Sequence, residues 1–463
     1  MSTTSANATL PSHDEPVVNS TGGGNGTPPI QRGVARREAA QPSFYRTVWR
    51  WHFYAGLLVT PVLMVMAITG ALYIFKSELE VYIHPYMGVS KVGDAIIPYQ
   101  QQLDTAKAFL PKDYQLFRLT VPYDSYHTTR FTFLATLPEE TRKVREVFID
   151  PYTGQVTGEM GPLDFFNILL IIHRQLFIGT TGRILTELSM CWAIILLITG
   201  TYLWWPKKRN QVWGTWLPRW WGKQYVVLRD LHSIFGLIFM PIALTIALTG
   251  LMYTFVWGSG YAWVANAAKT YDVFRVQPPS KSPADLPTIS LDTIIRSARE
   301  RCAEGNIYIT VPRSPSESFI CFFGGTDRPT SLIRIAFDRA TGEELISWPV
   351  HQMPILYRIG QWNFTLHVGS ILSMPSKIIW FLACVMLCAL PITGIWMWWI
   401  RRPRGKTGFP RRSDARLSSG IVLIIIALSV FLPVAGISIL VILYFDWLIR
   451  LDWPRRRTHQ LKS

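Results

Sequence analysis

Long apolar runs alternate with polar segments along the chain. Four runs of about 20 or more nearly uncharged residues cover positions 53–75, 183–205, 233–257 and 377–400. Because about 20 apolar residues cross the hydrocarbon core of a bilayer, each run predicts a transmembrane helix. A fifth run, 417–449, is longer than one span needs and contains Pro433 and Gly436 near its middle. We predict a short helical hairpin there, so that the chain enters the membrane and returns to the same side before its carboxyl terminus.

This pattern divides the chain into predicted regions. They are a disordered cytoplasmic tail (1–43), a first transmembrane helix (44–76), a first outward domain (77–162), a second transmembrane helix preceded by a histidine segment (163–206), a basic loop (207–228), a third transmembrane helix (229–258), a second outward domain (259–355), a fourth transmembrane helix with its own histidine segment (356–400), a basic loop (401–416), the apolar hairpin (417–449) and a basic tail (450–463).

Two pairs of these segments repeat each other. With His52 aligned on His232, the matched residues are Gly56 and Gly236, Pro61 and Pro241, Thr69-Gly70 and Thr249-Gly250, and Tyr73 and Tyr253. With His173 aligned on His367, an Ile-Thr-Gly triplet and a Trp-Trp pair recur at the same distance from each histidine. The offset is 180 residues in the first alignment and 194 in the second. We therefore predict an internal duplication, whose copies pack around a pseudo-two-fold axis along the membrane normal.

The two long polar segments share one order of predicted elements. The first has a helix-forming stretch, PYQQQLDTAKAFL, followed by the runs YQLFRLTVP, TRFTFLATL and KVREVFIDP. The second has SLDTIIRSARERC, followed by NIYITVP, SFICFFGG and SLIRIAFDRATGEEL. Alternating apolar and polar residues are typical of half-buried antiparallel strands. Each segment predicts a small α+β domain, with Gly154 and Gly342 in matching turns.

Basic residues concentrate in the short polar segments. The 463-residue chain has 46 Lys and Arg against 30 Asp and Glu, and its basic clusters are RGVARRE, PKKRNQVWGTWLPRWWGKQ and RRPRGKTGFPRRSDAR. Cytoplasmic loops of membrane proteins carry such an excess of Lys and Arg. We therefore place the amino terminus and both short loops in the cytoplasm, and residues 76–165 and 259–355 in the periplasm of a bacterial inner membrane. The membrane surface accounts for the charge, and we expect no nucleic-acid partner.

Four histidines carry the candidate chemistry. The topology places His52 and His232 near the cytoplasmic boundary of the membrane, and His173 and His367 near the outer boundary. We expect the segments that follow the two outer histidines to bend, at Gly179–Gly182 and at Pro375. The duplication brings each pair face to face, and two facing imidazoles are suited to bind one haem iron from its two sides. Gly56 and Gly236 follow their histidines by one helical turn, where a missing side chain leaves room for a porphyrin edge.

Other roles for these histidines stay open. They could bind a divalent metal, relay protons or simply pack, although carboxylates and thiols that would support the first two are scarce in the spans. His84 and His351 have no counterpart in the repeat and are alternative ligands on the outer side. The chain has no CxxCH motif, so covalent attachment of a c-type haem is excluded. Cys302 and Cys321 both lie in the second outward segment, where a disulfide is possible.

The chain resembles the PepSY-associated transmembrane proteins of bacteria. The resemblance lies in spans that contain a His and a Thr-Gly motif and that alternate with domains carrying a DPYTG-type turn. The resemblance extends over about residues 44–450 and is to the iron-regulated branch that includes ferrisiderophore reductases. It implies an inner-membrane protein with b-type haem and two periplasmic PepSY domains, which moves electrons outward to a ferric chelate. We thus expect an α-helical transmembrane bundle built from an internal duplication, with two small α+β domains.

The sequence therefore predicts a dihaem membrane protein that reduces periplasmic ferric-siderophore complexes. Reduction releases iron because hard oxygen donors hold Fe(II) less tightly than Fe(III). No flavin or nicotinamide motif is present, so we expect a separate electron donor, either cytoplasmic or a quinol. Two rival functions are a non-enzymatic membrane protein that regulates or recruits a periplasmic partner and a siderophore permease.

Overall fold

The computed structural model describes residues 43–135, 144–206, 211–271, 278–301, 305–324, 332–410 and 419–444. The predicted tails at 1–43 and 450–463 therefore lie outside the described residues, apart from Ser43. Its helices are α1 (Ser43–Ile74), α2 (Lys76–Ile83), α3 (Tyr99–Phe109), α4 (Phe165–Gln175), α5 (Gly179–Trp204), α6 (Gln224–Leu251), α7 (Val256–Ala267), α8 (Leu291–Arg301), α9 (Ile355–Val368), α10 (Met374–Arg401), α11 (Ser419–Phe431) and α12 (Pro433–Tyr444).

Four of these helices are long and apolar enough to cross a membrane, which confirms the four predicted spans. They are α1, α5, α6 and α10, and they pack in a closed ring in which α1 and α6 each contact both α5 and α10. Helices α1 and α6 therefore lie diagonally opposite each other. Apolar side chains of α1, α5 and α6 form a buried cluster, among them Met66, Met190, Ile194, Ala247 and Leu251. The chain is a membrane protein with a separate β-sheet region.

Two short helices, α4 and α9, precede the spans α5 and α10 and carry His173 and His367. Asp164 caps α4 by accepting a hydrogen bond from the Phe166 amide, as expected for an N-cap aspartate. The first break lies at Leu176–Gly179 and shares Gly179 with the predicted bend, and the second lies at Gly369–Ser373, just before Pro375. Left-handed backbone ends both short helices. Gly182 lets the start of α5 pack directly on the Gln175 carbonyl, since a Cβ there would overlap it.

The sheet contains eight antiparallel strands. They are β1 (Tyr114–Val121), β2 (Thr129–Ala135), β3 (Val144–Ile149), β4 (Val156–Met160), β5 (Ile307–Thr310), β6 (Phe319–Phe323), β7 (Ile333–Phe337) and β8 (Glu344–Pro349), in the order β4-β3-β2-β1-β5-β6-β7-β8. Each long polar segment supplies four strands and one helix that packs on the sheet. The two segments are joined by the pairing of β1 with β5, in which Leu119 lies opposite Ile309.

One face of this sheet packs against α3 and α8. The side chains between them form one continuous core that crosses the β1–β5 seam, with Phe131, Phe133, Phe319, Phe323 and Phe337 almost completely buried. The opposite face is covered at one end by residues that follow α2, where Tyr86 and Met87 pack on Phe148 and Met160. Because one core spans both segments, the sheet behaves as one packed body.

The predicted matching turns are present at Asp150–Gly154 and Asp338–Gly342. Gly154 has φ of 70° and Gly342 has φ of 72°, a left-handed conformation that glycine adopts without strain. Each aspartate accepts hydrogen bonds from the amides two and three residues later. Asp338 also accepts from Ser280, Ser282 and the Lys281 amide. Burial alone would raise the pKa of Asp338, but these hydrogen bonds outweigh it and hold the pKa well below the ordinary 3.8.

The fifth apolar run forms α11 and α12, which meet at Leu432. A Cβ on Gly436 would lie 3.1 Å from the Cα of Ser429, whereas a straight helix separates residues seven apart by about 10.5 Å. The chain therefore turns back sharply at this point. The turn packs against the bundle through Leu432, Val434 and Ala435. The ends of the predicted segment, 417–418 and 445–449, lie outside the described residues.

The cysteines that the structure describes are free thiols. Cys191 and Cys384 are buried in the bundle, and Cys388 is partly buried. Cys321 lies in β6 within the core of the sheet, and burial raises the pKa of its thiol. Cys302, its possible disulfide partner, lies outside the described residues.

We predict that Asp338→Asn destabilises the sheet by about 1.5–3 kcal/mol, the range for hydrogen bonds to a charged group. Asp150→Asn is the matched control, because Asp150 accepts from fewer groups, and its loss is expected to be smaller. The contribution of Asp338 is fully present above pH 3.8 and is lost as the pH falls toward its lowered pKa. Thermal unfolding in detergent, followed by tryptophan fluorescence, measures both variants. Equal losses would contradict this account of the turn.

Candidate functional site

The four predicted histidines form two facing pairs. The ring centres of His52 and His232 are 6.4 Å apart, and those of His173 and His367 are 6.3 Å apart. His52 and His232 lie on the diagonal helices α1 and α6, at the end of the bundle away from the sheet, and we call them the distal pair. His173 and His367 lie on α4 and α9, and we call them the sheet-side pair.

Each histidine is fixed by a threonine on a neighbouring helix. The Nδ1 atom of His52 is 2.9 Å from Thr199 Oγ1, and that of His232 is 3.0 Å from Thr393 Oγ1. On the sheet side, the corresponding distances are 3.1 Å from His173 to Thr69 and 3.2 Å from His367 to Thr249. The same side-chain contact therefore occurs four times, twice in each half of the bundle.

The threonine hydroxyls determine which ring nitrogen is protonated. Each hydroxyl donates its single proton to the carbonyl four residues earlier, as in Thr199 to Ile195 at 2.7 Å and Thr69 to Val65 at 2.7 Å. Thr249 and Thr393 make the same bond. The oxygen must then accept from the imidazole, so Nδ1 carries the proton and Nε2 keeps its lone pair. All four imidazoles thus offer Nε2 as a ligand.

At three of the four sites, the glycine that follows the threonine lets the ring approach the helix closely, whereas the corresponding distance at Gly394 is an ordinary 3.6 Å. A Cβ on Gly70 would lie 3.1 Å from Cε1 of His173, and one on Gly250 would lie 3.1 Å from Cε1 of His367. On Gly200, the distance to Cε1 of His52 would be 3.3 Å. These separations are shorter than ordinary contacts between carbon atoms. The Thr-Gly dipeptide is therefore one unit, in which threonine binds the imidazole and glycine provides space.

The sequence predicted a different role for glycine. Gly56 and Gly236 were expected to border a porphyrin edge, but the atoms nearest to their Cβ positions belong to Leu196 at 3.9 Å and Leu390 at 3.4 Å. Gly56 thus has ordinary space for a methyl group in the described structure. The repeated Ile-Thr-Gly triplet was the signal in the sequence for the glycines that touch the imidazoles.

The two pairs are well separated along the bundle. His173 contacts Thr69, which follows His52 by 17 positions on α1. At 1.5 Å per residue, the pairs are roughly 26 Å apart along the helix axis. One pair therefore lies near each end of the spans.

The spacing within each pair fits two imidazoles on one metal ion. With a metal–nitrogen bond of about 2.0 Å and a ring centre about 1.1 Å behind the nitrogen, opposite ligands have ring centres about 6.2 Å apart. The observed 6.4 and 6.3 Å match this value. Among the described residues, no three His, Cys, Asp or Glu side chains gather in a metal-binding group. Each pair thus suits a centre whose remaining ligands come from a cofactor.

The alternative ligands are engaged elsewhere. His84 lies between Tyr86, whose hydroxyl is 3.0 Å from its Nδ1, and Asp164, whose carboxylate is 3.4 Å from its Nε2. His351 lies in an exposed turn after β8. Among the contacts described for His84, none involves His173 or His367.

Two buried carboxylates lie on the spanning helices that the structure describes, and one of them, Asp230 on α6, forms ion pairs with two arginines. Glu187 on α5 is inaccessible to solvent, and its oxygens accept hydrogen bonds from the amides of Val256 at 2.7 Å and Trp257 at 2.9 Å. These amides belong to the first turn of α7, where an anion is stabilised by the helix dipole. Glu187 therefore caps a helix, which provides no support for a proton relay through the histidines.

A ring of four apolar helices, two partly buried imidazole pairs and a separate β-sheet define the class of protein. The family model for the PepSY-associated TM region matches residues 49–401, and the chain belongs to this family. A comparison with curated proteins gave no match.

We predict that Gly70→Ala displaces His173 and destabilises the protein by about 1–3 kcal/mol, the usual result of overpacking. Gly260→Ala in α7 is the control, because the structure places no atom within 4 Å of a Cβ at that position, and it is expected to be neutral or to stabilise its helix by up to about 1 kcal/mol. Melting temperatures in detergent compare the two variants. A Gly260→Ala variant as unstable as Gly70→Ala would contradict the assigned role of Gly70.

Proposed function

We propose that the chain is a b-type dihaem electron-transfer protein of the bacterial inner membrane, which reduces periplasmic ferric-siderophore complexes and so releases their iron. The observation that carries this proposal is the spacing and tautomer of the histidines. Each pair has the ring separation that two imidazoles on one haem iron require, and the threonine contacts at Nδ1 leave the Nε2 lone pairs available. A porphyrin would supply the four remaining ligands.

His52 and His232 would hold one haem, and His173 and His367 the other. Bis-histidine haem iron exchanges single electrons without changing its ligands, which is the chemistry that the cofactor supplies when bound. The threonines fix the orientation of the four imidazole rings. Apolar side chains of the spans lie between the distal pair and the sheet-side pair along the bundle. Because the pairs lie at opposite ends of the spans, they offer a route for electrons across the bilayer.

An internal duplication accounts for this arrangement. Among the described residues, each half contains three short α-helices and four strands between two spans, and each half supplies two His, Thr and Gly units. Support for the orientation comes from the basic loops, which place the distal pair at the cytoplasmic face and the two PepSY-like halves of the sheet in the periplasm. Gly56 and Gly236 remain candidates for the porphyrin border.

Electrons would enter at the distal pair and leave at the sheet-side pair. Each ferric ion takes up one electron and becomes Fe(II), which oxygen-donor chelators hold less tightly. A quinol or a cytoplasmic reductant must replace that electron, since the sequence contains no flavin or nicotinamide motif. The rival functions, a regulator that recruits a periplasmic partner and a siderophore permease, require no haem and no electron transfer.

We expect His52→Ala to remove the distal haem and leave the sheet-side haem, and His173→Ala to do the reverse. The reason is that each haem depends on its own pair of ligands. Visible spectra of the purified variants measure this, with His351→Ala as the control that keeps both haems. Loss of the sheet-side haem in His84→Ala or His351→Ala, with His173 dispensable, would show that the wrong pair has been assigned.

The same preparations test the reaction. Dithionite-reduced protein is expected to be reoxidised by ferric-siderophore complexes under anaerobic conditions, with Fe(II) trapped by a chromogenic chelator. His173→Ala is expected to slow this transfer, because it lacks the haem nearest to the periplasm. Reduced dihaem protein that no ferric chelate reoxidises would contradict the reductase and leave electron transfer to another acceptor.

We also predict that the carboxyl terminus is cytoplasmic, because the turn between α11 and α12 returns the chain to the side from which it came. The basic cluster Arg455–Arg457 then remains inside, as the charge distribution favours. Each arm of about 16 residues is short for the roughly 30 Å core, a mismatch that local thinning of the bilayer absorbs at modest cost. Reporter fusions after Ser463 decide this: alkaline phosphatase activity with a silent cytoplasmic reporter would mean a single crossing.

A further inference from the structure

The four imidazoles are not supported equally on their Nδ1 side. His173 Nδ1 is 2.9 Å from the Met66 carbonyl as well as 3.1 Å from Thr69. His367 Nδ1 is likewise 3.1 Å from the Ile246 carbonyl. For His52, Thr199 is the hydrogen-bond partner of Nδ1 among the residues that the structure describes. Nδ1 of His173 thus has two hydrogen-bond acceptors, whereas Nδ1 of His52, in the same half of the bundle, has one.

A hydrogen bond at Nδ1 affects a metal bound at Nε2. An acceptor that draws on the Nδ1 proton makes the imidazole more basic and fixes its plane, and both effects reach the metal. A more basic axial ligand favours the ferric form, which lowers the reduction potential. Removing the acceptor is expected to raise the potential, unless another acceptor takes the proton.

We propose that Thr199 is the residue that positions His52 and sets the potential of the distal haem, whereas Thr69 shares this role at the sheet-side haem with the Met66 carbonyl. This inference rests on the proposed function, because it requires a haem at each pair. It adds to that function an assignment of four threonines as positioning residues, with the largest effect at Thr199.

The test compares Thr199→Val with Thr69→Val in the full-length protein. Valine has the shape of threonine without the hydroxyl, and the carbonyls that these hydroxyls contact are already bonded within the helix. Spectroelectrochemical titration measures both haem potentials, with the His52→Ala and His173→Ala spectra assigning each band. Thr199→Val is expected to raise the distal potential, and Thr69→Val to raise the sheet-side potential by a smaller amount.

Matched controls lie on the same helices. Thr201 on α5 donates to the Leu197 carbonyl at 2.9 Å, and Thr60 on α1 donates to the Gly56 carbonyl at 2.6 Å, and neither contacts a histidine. Thr201→Val and Thr60→Val are expected to leave both potentials unchanged. Thr199→Ser keeps the acceptor oxygen and is expected to restore the potential of the parent protein. A structural effect of valine alone would appear in the controls as well.

Each outcome has a defined meaning. Selective loss of the distal haem in Thr199→Val, with haem retained in Thr199→Ser and Thr201→Val, supports the positioning role as a potential shift does. Equal shifts in Thr199→Val and Thr69→Val, or an unchanged distal potential in Thr199→Val, would overturn the inference. A parent protein without haem would contradict the proposed function itself, so the two failures are distinguishable.

Discussion

The imidazole Nδ1 of each paired histidine meets a threonine hydroxyl on a neighbouring helix, and the arrangement of the bundle follows from this contact. It joins α1 to α5 and to α4 in one half, and α6 to α10 and to α9 in the other. A polar side chain inside a membrane is costly unless it finds a partner. Here the histidine and threonine satisfy each other, while the adjacent glycine lets two helices approach closely.

The two halves meet at three levels along one axis. The distal histidines face each other across the ring, the sheet-side histidines do so nearer the sheet, and β1 pairs with β5 beyond them. Every one of these contacts joins an element of one half to its counterpart in the other. The separation within each histidine pair is therefore set by how the halves pack, which explains why both pairs have nearly the same spacing.

The main features of the fold could be predicted from local patterns. Apolar runs of sufficient length gave the four spans, and aligning His52 on His232 identified which histidines face each other. The fourth strand of each half was missed, because β4 (VTGEM) contains a glycine and lacks regular apolar alternation. The β1–β5 pairing was also missed, since strand alternation shows which face is buried but not which edge meets another segment.

The partners of the histidines show the same limit. Thr199 stood in a repeated Ile-Thr-Gly triplet and Thr69 in a repeated Thr-Gly dipeptide, but a side-chain contact between helices depends on their relative rotation and depth, which one sequence does not show. Gly56 was assigned to a porphyrin edge because it shares a helix face with His52, and that assignment stays a prediction. The glycine that touches the His52 ring is Gly200, on the adjacent helix.

The central claim is that each histidine pair binds one haem iron. The most direct measurement is the haem content of purified protein from haem-replete cells, determined as the pyridine haemochrome and divided by the amount of chain. The account predicts two b-type haems per chain, with the spectrum of low-spin, bis-histidine iron. Protein that is folded in detergent, yet has no Soret band or holds well under one haem per chain, would contradict it.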